Sequence, residues 1–177
     1  RGSAADTICS PLALYTPFGV PQGVPPRRRS TSRHCLVSID NEGVMEILGI
    51  GSEIVECLRI GRMIELHGEL FLNRVFTPRE IEYCSARKAT TQHYAGRWAA
   101  KEAILKALGT GWSRGIRWRD LEIRNDVAGK PSVALGGEAR DLCERLGIGD
   151  MLISISHCRT HATALAVAVA AEREDRA

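Results

Sequence analysis

The chain has 177 residues, enough for one well-filled domain and tight for two. Lys plus Arg total 24 against 21 Asp plus Glu, a formal charge of +3, and 44% of residues are apolar and 25% charged, as in an ordinary soluble globular protein. This balance excludes a disordered chain, a collagen-like repeat and a strongly basic nucleic-acid tail. Residues 1–44 carry +2 of the charge and residues 45–177 only +1, so any anion-binding role must come from the placement of individual basic groups.

Five of the seven prolines (Pro11, Pro17, Pro21, Pro25, Pro26) precede the run Arg27-Arg28-Arg29-Ser30-Thr31-Ser32-Arg33. Proline at this density argues against a packed element. A secretory signal places basic residues before its apolar run, and here the arginines come after. Residues 1–44 are therefore expected to be a disordered extension or an over-long start, with residues 45–177 forming the domain and Met45 a candidate native start. No apolar run approaches the roughly 20 residues that span a bilayer. The six cysteines form no C-x-x-C pair and no zinc-like cluster, so free, partly buried thiols in a cytoplasmic protein are expected, with neither membrane nor nucleic acid as partner.

Residues 46–56 read as a strand containing Gly49 and Gly51, where backbone can approach closely. Cys57 to His67 has helical apolar spacing that Gly68 ends, and Thr77-Pro78-Arg79-Glu80 is a capping box with proline at the first helical position. The longest helix is predicted from Thr91 to Leu108, stopped by Gly109. Trp118 to Arg124 reads as a strand, residues 125–130 as a turn, Pro131 to Leu135 as a second strand and Glu138 to Leu146 as a short helix. Met151 to Ser156 and Thr160 to Ala170 read as strands around a turn at His157-Cys158-Arg159. At least two hairpins and no strict alternation of strand and helix predict an α+β domain, a mainly antiparallel sheet packed against a long helix.

The most informative stretch is Arg97-Trp98-Ala99-Ala100-Lys101-Glu102-Ala103-Ile104-Leu105-Lys106-Ala107-Leu108-Gly109-Thr110-Gly111. On a helix Trp98, Glu102 and Lys106 share one face. Glu102 offers hard oxygen ligands of the kind magnesium takes beside substrate phosphates. Lys106 can neutralise phosphate charge, and the glycines let backbone N–H groups approach an anion. Taken alone, a Glu–Lys pair four apart is ordinarily a solvated surface pair. The Gly-Thr-Gly segment is neither a phosphate loop nor a dinucleotide fingerprint.

Three motifs in order shift the balance: Gly49-Ile50-Gly51-Ser52-Glu53-Ile54-Val55-Glu56, Trp98-Ala99-Ala100-Lys101-Glu102 to Lys106, and Ile153-Ser154-Ile155-Ser156-His157. With Phe71 to Thr77, Tyr94 to Arg97, Trp118 to Glu122 and Gly129-Lys130-Pro131, the sequence resembles the holo-acyl-carrier-protein synthases, the small 4′-phosphopantetheinyl transferases, over about residues 46–171. The resemblance implies transfer of the phosphopantetheine arm of coenzyme A to a serine of apo acyl carrier protein, releasing adenosine 3′,5′-bisphosphate. It places the protein in lipid metabolism and fatty acid biosynthesis. Coenzyme A is the co-substrate and Mg2+ the cofactor, and the family pattern implies a homotrimer. Glu102 matches the metal-binding glutamate and Lys106 the lysine that contacts phosphate; these two are the implied catalytic residues. Arg97, Lys106, Gly109, Thr110, Gly111, Lys130, Pro131 and His157 match positions at the coenzyme A site, and Arg59 and Met63, beside Arg62, match the carrier-docking helix. At the first metal position the family usually has Asp, whereas this chain has Glu53, one methylene longer. Glu102, or a magnesium-bound water held by Glu53, would each serve as the base. The alternative reading is a non-catalytic coenzyme A or nucleotide-binding module in which Glu53 has cost the chemistry; a third is a metal-free interaction protein.

Overall fold

The computed structural model describes residues 45–111 and 115–171; the expectation for residues 1–44 lies outside them. The elements are β1 (Ile47–Glu56), α1 (Cys57–Val75), α2 (Pro78–Ser85), α3 (Thr90–Ala107), β2 (Leu121–Asn125), β3 (Pro131–Leu135), α4 (Gly137–Leu146), β4 (Ile148–His157) and β5 (His161–Ala170). β1, β5 and β4 form an antiparallel sheet in that order, and β2 and β3 form a separate hairpin. The predicted α+β class, with its antiparallel sheet on a long helix, is what the structure contains.

α3 is the axis of the fold, with every residue from Tyr94 to Leu105 buried. Its alanines allow a close approach to the sheet, where Ala162, Ala164, Ala166 and Ala168 of β5 are also buried. Register puts Gly51, Glu53 and Val55 of β1 beside Ala166, Ala164 and Ala162, on the face turned to α3. Thr163, Leu165 and Val167 of β5 therefore point the other way, with Ile50, Ser52 and Ile54 of β1 and Leu152, Ser154 and Ser156 of β4. That second face is open. Ile50 and Ile54 are each 65% exposed, and Leu152 and Leu165 are exposed beside them.

Away from the sheet, α3 packs against an aromatic cluster. Phe71 stacks on Trp98 at 5.8 Å between ring centroids, Trp98 on Trp118 at 4.5 Å, and Phe76 on Tyr94 at 4.9 Å. Thr77 and Glu80 make the predicted capping box: Glu80 N–H donates to Thr77 Oγ1 and Thr77 N–H to Glu80 Oε2.

Three predicted features differ from the structure. Gly68 interrupts the first helix at φ 54, a left-handed conformation suited to glycine, but helix resumes beyond it to Val75. Trp118–Asp120 is a 3-10 turn rather than the start of a strand, because Asp120 Oδ2 accepts the Arg117 N–H and the Trp118 carbonyl is taken by Lys101. The β4–β5 turn also lies one residue later than predicted, with Cys158 N–H donating to the His161 carbonyl.

Candidate active site

The site begins where β1 crosses α3. A Cβ on Gly49 would collide with the Ala107 carbonyl, and one on Gly51 with the Ala103 carbonyl and the Ala107 nitrogen. Only glycine lets strand and helix approach this closely. Two residues further along the same face, Glu53 Oε2 lies 2.7 Å from Lys106 Nζ, and Lys106 also donates to the Ser52 carbonyl at 2.8 Å. The Glu53 carboxylate is 11% exposed and Lys106 45%. Glu53 Oε2 is enclosed and meets Lys106 as an ion pair whose angles do not make a hydrogen bond. Glu102 is buried on α3 at 6% exposure. Lys106 thus grips β1, and the Glu102–Lys106 motif is not the solvated surface pair that its spacing alone suggests. Just beyond Lys106, Gly109 and Gly111 take positive φ and turn the chain out of the helix; Gly109 N–H donates to the Lys106 carbonyl.

Lys101, next to Glu102 in the chain, is fully buried. Its Nζ donates to Glu80 Oε2 at 2.8 Å and to the Val75 and Trp118 carbonyls at 3.0 and 2.9 Å. Glu80 Oε1 also accepts the Ile123 N–H. Burial pulls the Lys101 ammonium below its ordinary pKa, and Glu80 opposes that pull. This lysine ties the ends of α1 and α2, the 3-10 turn and β2 to the helix that carries Glu102.

A second group lies nearer the start of α3, where Tyr83, His93, Arg97, Asn125, Pro131 and His157 line a cavity of about 160 Å³. The Arg97 guanidinium lies 3.9 Å from the Tyr83 ring centroid and donates to Asn125 Oδ1 at 2.8 Å. Arg97 is 4% exposed and its Nε has no hydrogen-bond partner among the described residues. Asn125 in turn donates to the Gly129 carbonyl, which fixes the hairpin against the cavity. No acidic side chain stands among the described residues lining it.

The residues predicted for one site thus fall into two groups along α3. Arg97, Pro131 and His157 share the cavity, whereas Lys106, Gly109, Thr110 and Gly111 sit with Glu53 at the far end of the helix. Nine residues separate Arg97 from Lys106, a rise of about 13 Å. Lys130 is exposed in the β2–β3 turn, where its backbone N–H donates to Asp126 Oδ1; Gly129 and Pro131 line the cavity and Lys130 does not. Arg59 is exposed on α1 and Met63 half-buried on the same helix. Tyr83, His93 and Asn125 were not legible as site residues. Only the spacing of His93, four before Arg97 on one helix face, could have pointed to it.

Residues 49–169 match the model of the 4′-phosphopantetheinyl transferase superfamily. A holo-[acyl-carrier-protein] synthase of Protochlamydia amoebophila is 52% identical over 120 residues, 68% of this chain and 96% of that protein. The crystal structure of holo-[acyl-carrier-protein] synthase from Neisseria meningitidis superposes with a TM-score of 0.65 at 34% identity, covering 70% of this chain and 98% of that one. The Bacillus anthracis holo-(acyl-carrier-protein) synthase, solved in complex with CoA (3′,5′-ADP), gives 0.59 at 35% identity, over 72% of this chain and all of that one. With sequence, fold and the β1–α3 motif in agreement, the chain belongs to the 4′-phosphopantetheinyl transferase superfamily and, within it, to the holo-acyl-carrier-protein synthases.

Proposed function

We propose that the chain transfers the 4′-phosphopantetheine arm of coenzyme A to a serine of an apo acyl carrier protein. The serine hydroxyl attacks the phosphorus bearing the pantetheine arm, the bond to the bridging pyrophosphate oxygen breaks, and adenosine 3′,5′-bisphosphate leaves. The observation that carries this reading is the β1–α3 crossing, which sets Glu53 in contact with Lys106, one helical turn along α3 from the buried Glu102. The residues fit a magnesium ion: two carboxylates held in low exposure, one of them with an enclosed oxygen met only by an ion pair, suit a hard cation. Glu53 and Glu102 would hold it, and it would supply charge neutralisation for the pyrophosphate. Glu53 keeps the carboxylate of the usual Asp and meets Lys106 at 2.7 Å.

Lys106 places a positive charge where the leaving phosphate forms, and the Gly109-Thr110-Gly111 turn brings backbone N–H groups to the same end of α3. Arg97 and His157 hold the nucleotide phosphates in the cavity, with Pro131 at its wall; the exposed Lys130 reaches them only as a charge at the rim. On α1, Arg59 steers an acidic carrier helix and Met63 offers a soft apolar contact. A homotrimer is supported by the open sheet face, where Ile50, Ile54, Leu152 and Leu165 form an apolar patch needing cover. Magnesium dependence, action in fatty acid biosynthesis and a cytoplasmic location belong to the same proposal. No described helix is long and apolar enough to cross a membrane.

Incubation with an apo carrier, coenzyme A and magnesium should add the mass of the phosphopantetheine arm to the carrier, and Glu102→Ala should abolish the gain. Coenzyme A binding without transfer would instead favour the non-catalytic module.

A further inference from the structure

One imidazole in the cavity has no assigned role. The His93 ring lies edge-on to His157, with centroids 5.0 Å apart, and edge-on to Tyr83 at 5.8 Å. The groups facing it are known from each neighbouring element: Tyr83 from α2, Arg87 from the turn before α3, Arg97 from α3 and His157 from β4. Arg87 and Arg97 both lie over the Tyr83 ring, at 4.5 and 3.9 Å from its centroid. The wall around His93 is therefore cationic or aromatic, and no described lining residue is acidic. Such a wall has no internal counter-charge, and the buried Arg97 Nε without a partner marks where an anion would complete it.

We propose that His93 is a further substrate-binding residue of this cavity, neutral when the cavity is empty and taking up a proton as a phosphate group of coenzyme A enters. The inference rests on the reading of the cavity as the coenzyme A phosphate site. Burial, then His157, Arg97 and Arg87, hold the His93 pKa below its ordinary value of 6.5 in the free protein. A phosphate reverses the balance, since an anion at this distance favours the charged imidazole and also neutralises the two arginines that opposed it. The protonated ring then donates N–H to the anion, a charge-assisted bond. Binding so linked strengthens as pH falls, with a slope equal to the protons taken up.

The test is calorimetric titration of the intact chain with coenzyme A at about pH 7 in buffers of different ionisation enthalpy, giving the proton count directly. We expect uptake of about half a proton and affinity weakening about threefold per pH unit on the alkaline side, as that count requires. His93→Asn should abolish the uptake and weaken binding at pH 6.5 while leaving binding at pH 8 within about twofold. The sign is diagnostic: a phosphate monoester titrating near pH 6 would release its own proton on meeting cations. Proton release, no exchange, or uptake undiminished in His93→Asn would overturn the inference. Arg97→Gln separates the levels. If it weakens coenzyme A binding and the wild-type proton count is zero, the His93 inference alone fails; if it leaves binding unchanged, the cavity is not the coenzyme A site and both readings fail. A nuclear magnetic resonance titration of the His93 ring, free and with adenosine 3′,5′-bisphosphate, reads the same shift without any variant.

Discussion

The buried pair behind the active helix gives a quantitative test of how α3 is held. Lys101→Met keeps most of the side-chain stem and removes the ammonium. Glu80 would then be a carboxylate at 0% exposure, with only the Thr77 and Ile123 N–H groups to stabilise its charge. Removing one partner of a buried ion pair costs about 3–5 kcal/mol, because the other charge is stranded away from water. For a domain of this size that is a fall in melting temperature of about 10–20 °C. Glu80→Gln strands the ammonium instead and should cost about as much. In the double variant neither charge remains, so its loss should fall short of the two single losses combined by at least about 1.5 kcal/mol. The assay is chemical denaturation of all four proteins. Losses that add within about 0.5 kcal/mol, or a Lys101→Met loss under 1 kcal/mol, would show that the pair does not anchor the helix.

Three further outcomes follow from other parts of the molecule. Gly51→Ala would drive a methyl group into the Ala103 carbonyl, so strand and helix must separate; soluble yield or melting temperature should drop as for overpacking of about 1–3 kcal/mol, and an unchanged melting temperature would contradict the close crossing. Arg59→Glu should raise the apparent KM for the carrier several-fold with coenzyme A binding intact, and an unchanged carrier KM would remove α1 as the docking helix. Among the described cysteines, exposed Cys158 should alkylate first. Hydrogen bonding, with Thr160 first, brings its pKa down to about 7, whereas burial raises Cys84 to about 12 and also raises Cys57 and Cys143. Peptide mapping after iodoacetamide should show the Cys158 rate rising through about pH 7, and modification of Cys84 ahead of Cys158 would contradict the assignment.

Much of the fold was legible because its signals are local. The Thr77–Glu80 box, the Gly109 stop and the alternation of β4 and β5 are set by neighbours within a few residues. Gly68 was misread because a single left-handed residue can punctuate a helix without ending it, when the segment beyond still has a core to meet through Phe71 and Val75. Trp118 was read as strand from its alternation, yet its carbonyl serves Lys101, a partner 17 residues away that no local pattern reveals. The Glu53, Glu102 and Lys106 end of the candidate site was visible as motifs. The cavity was only half visible, since Tyr83, His93 and Asn125 come from α2, α3 and the end of β2 and converge only through the tertiary packing. Lys101 shows the same limit: it stands in a charged motif, yet its ammonium is taken by Glu80 and by two carbonyls 17 and 26 residues away.

The central claim is that two tasks separate along α3: transfer chemistry at Glu102 and Lys106 together with Glu53 of β1, and nucleotide binding at Arg97. The most direct measurement is single-turnover transfer to an apo carrier alongside equilibrium binding of adenosine 3′,5′-bisphosphate, for Glu102→Gln and Arg97→Gln. Glu102→Gln is predicted to slow transfer about a hundredfold or more while binding stays within about threefold. Arg97→Gln is predicted to weaken binding at least tenfold, in line with loss of a charge-assisted contact. Transfer persisting in Glu102→Gln, or both variants losing binding and transfer in the same proportion, would contradict the account.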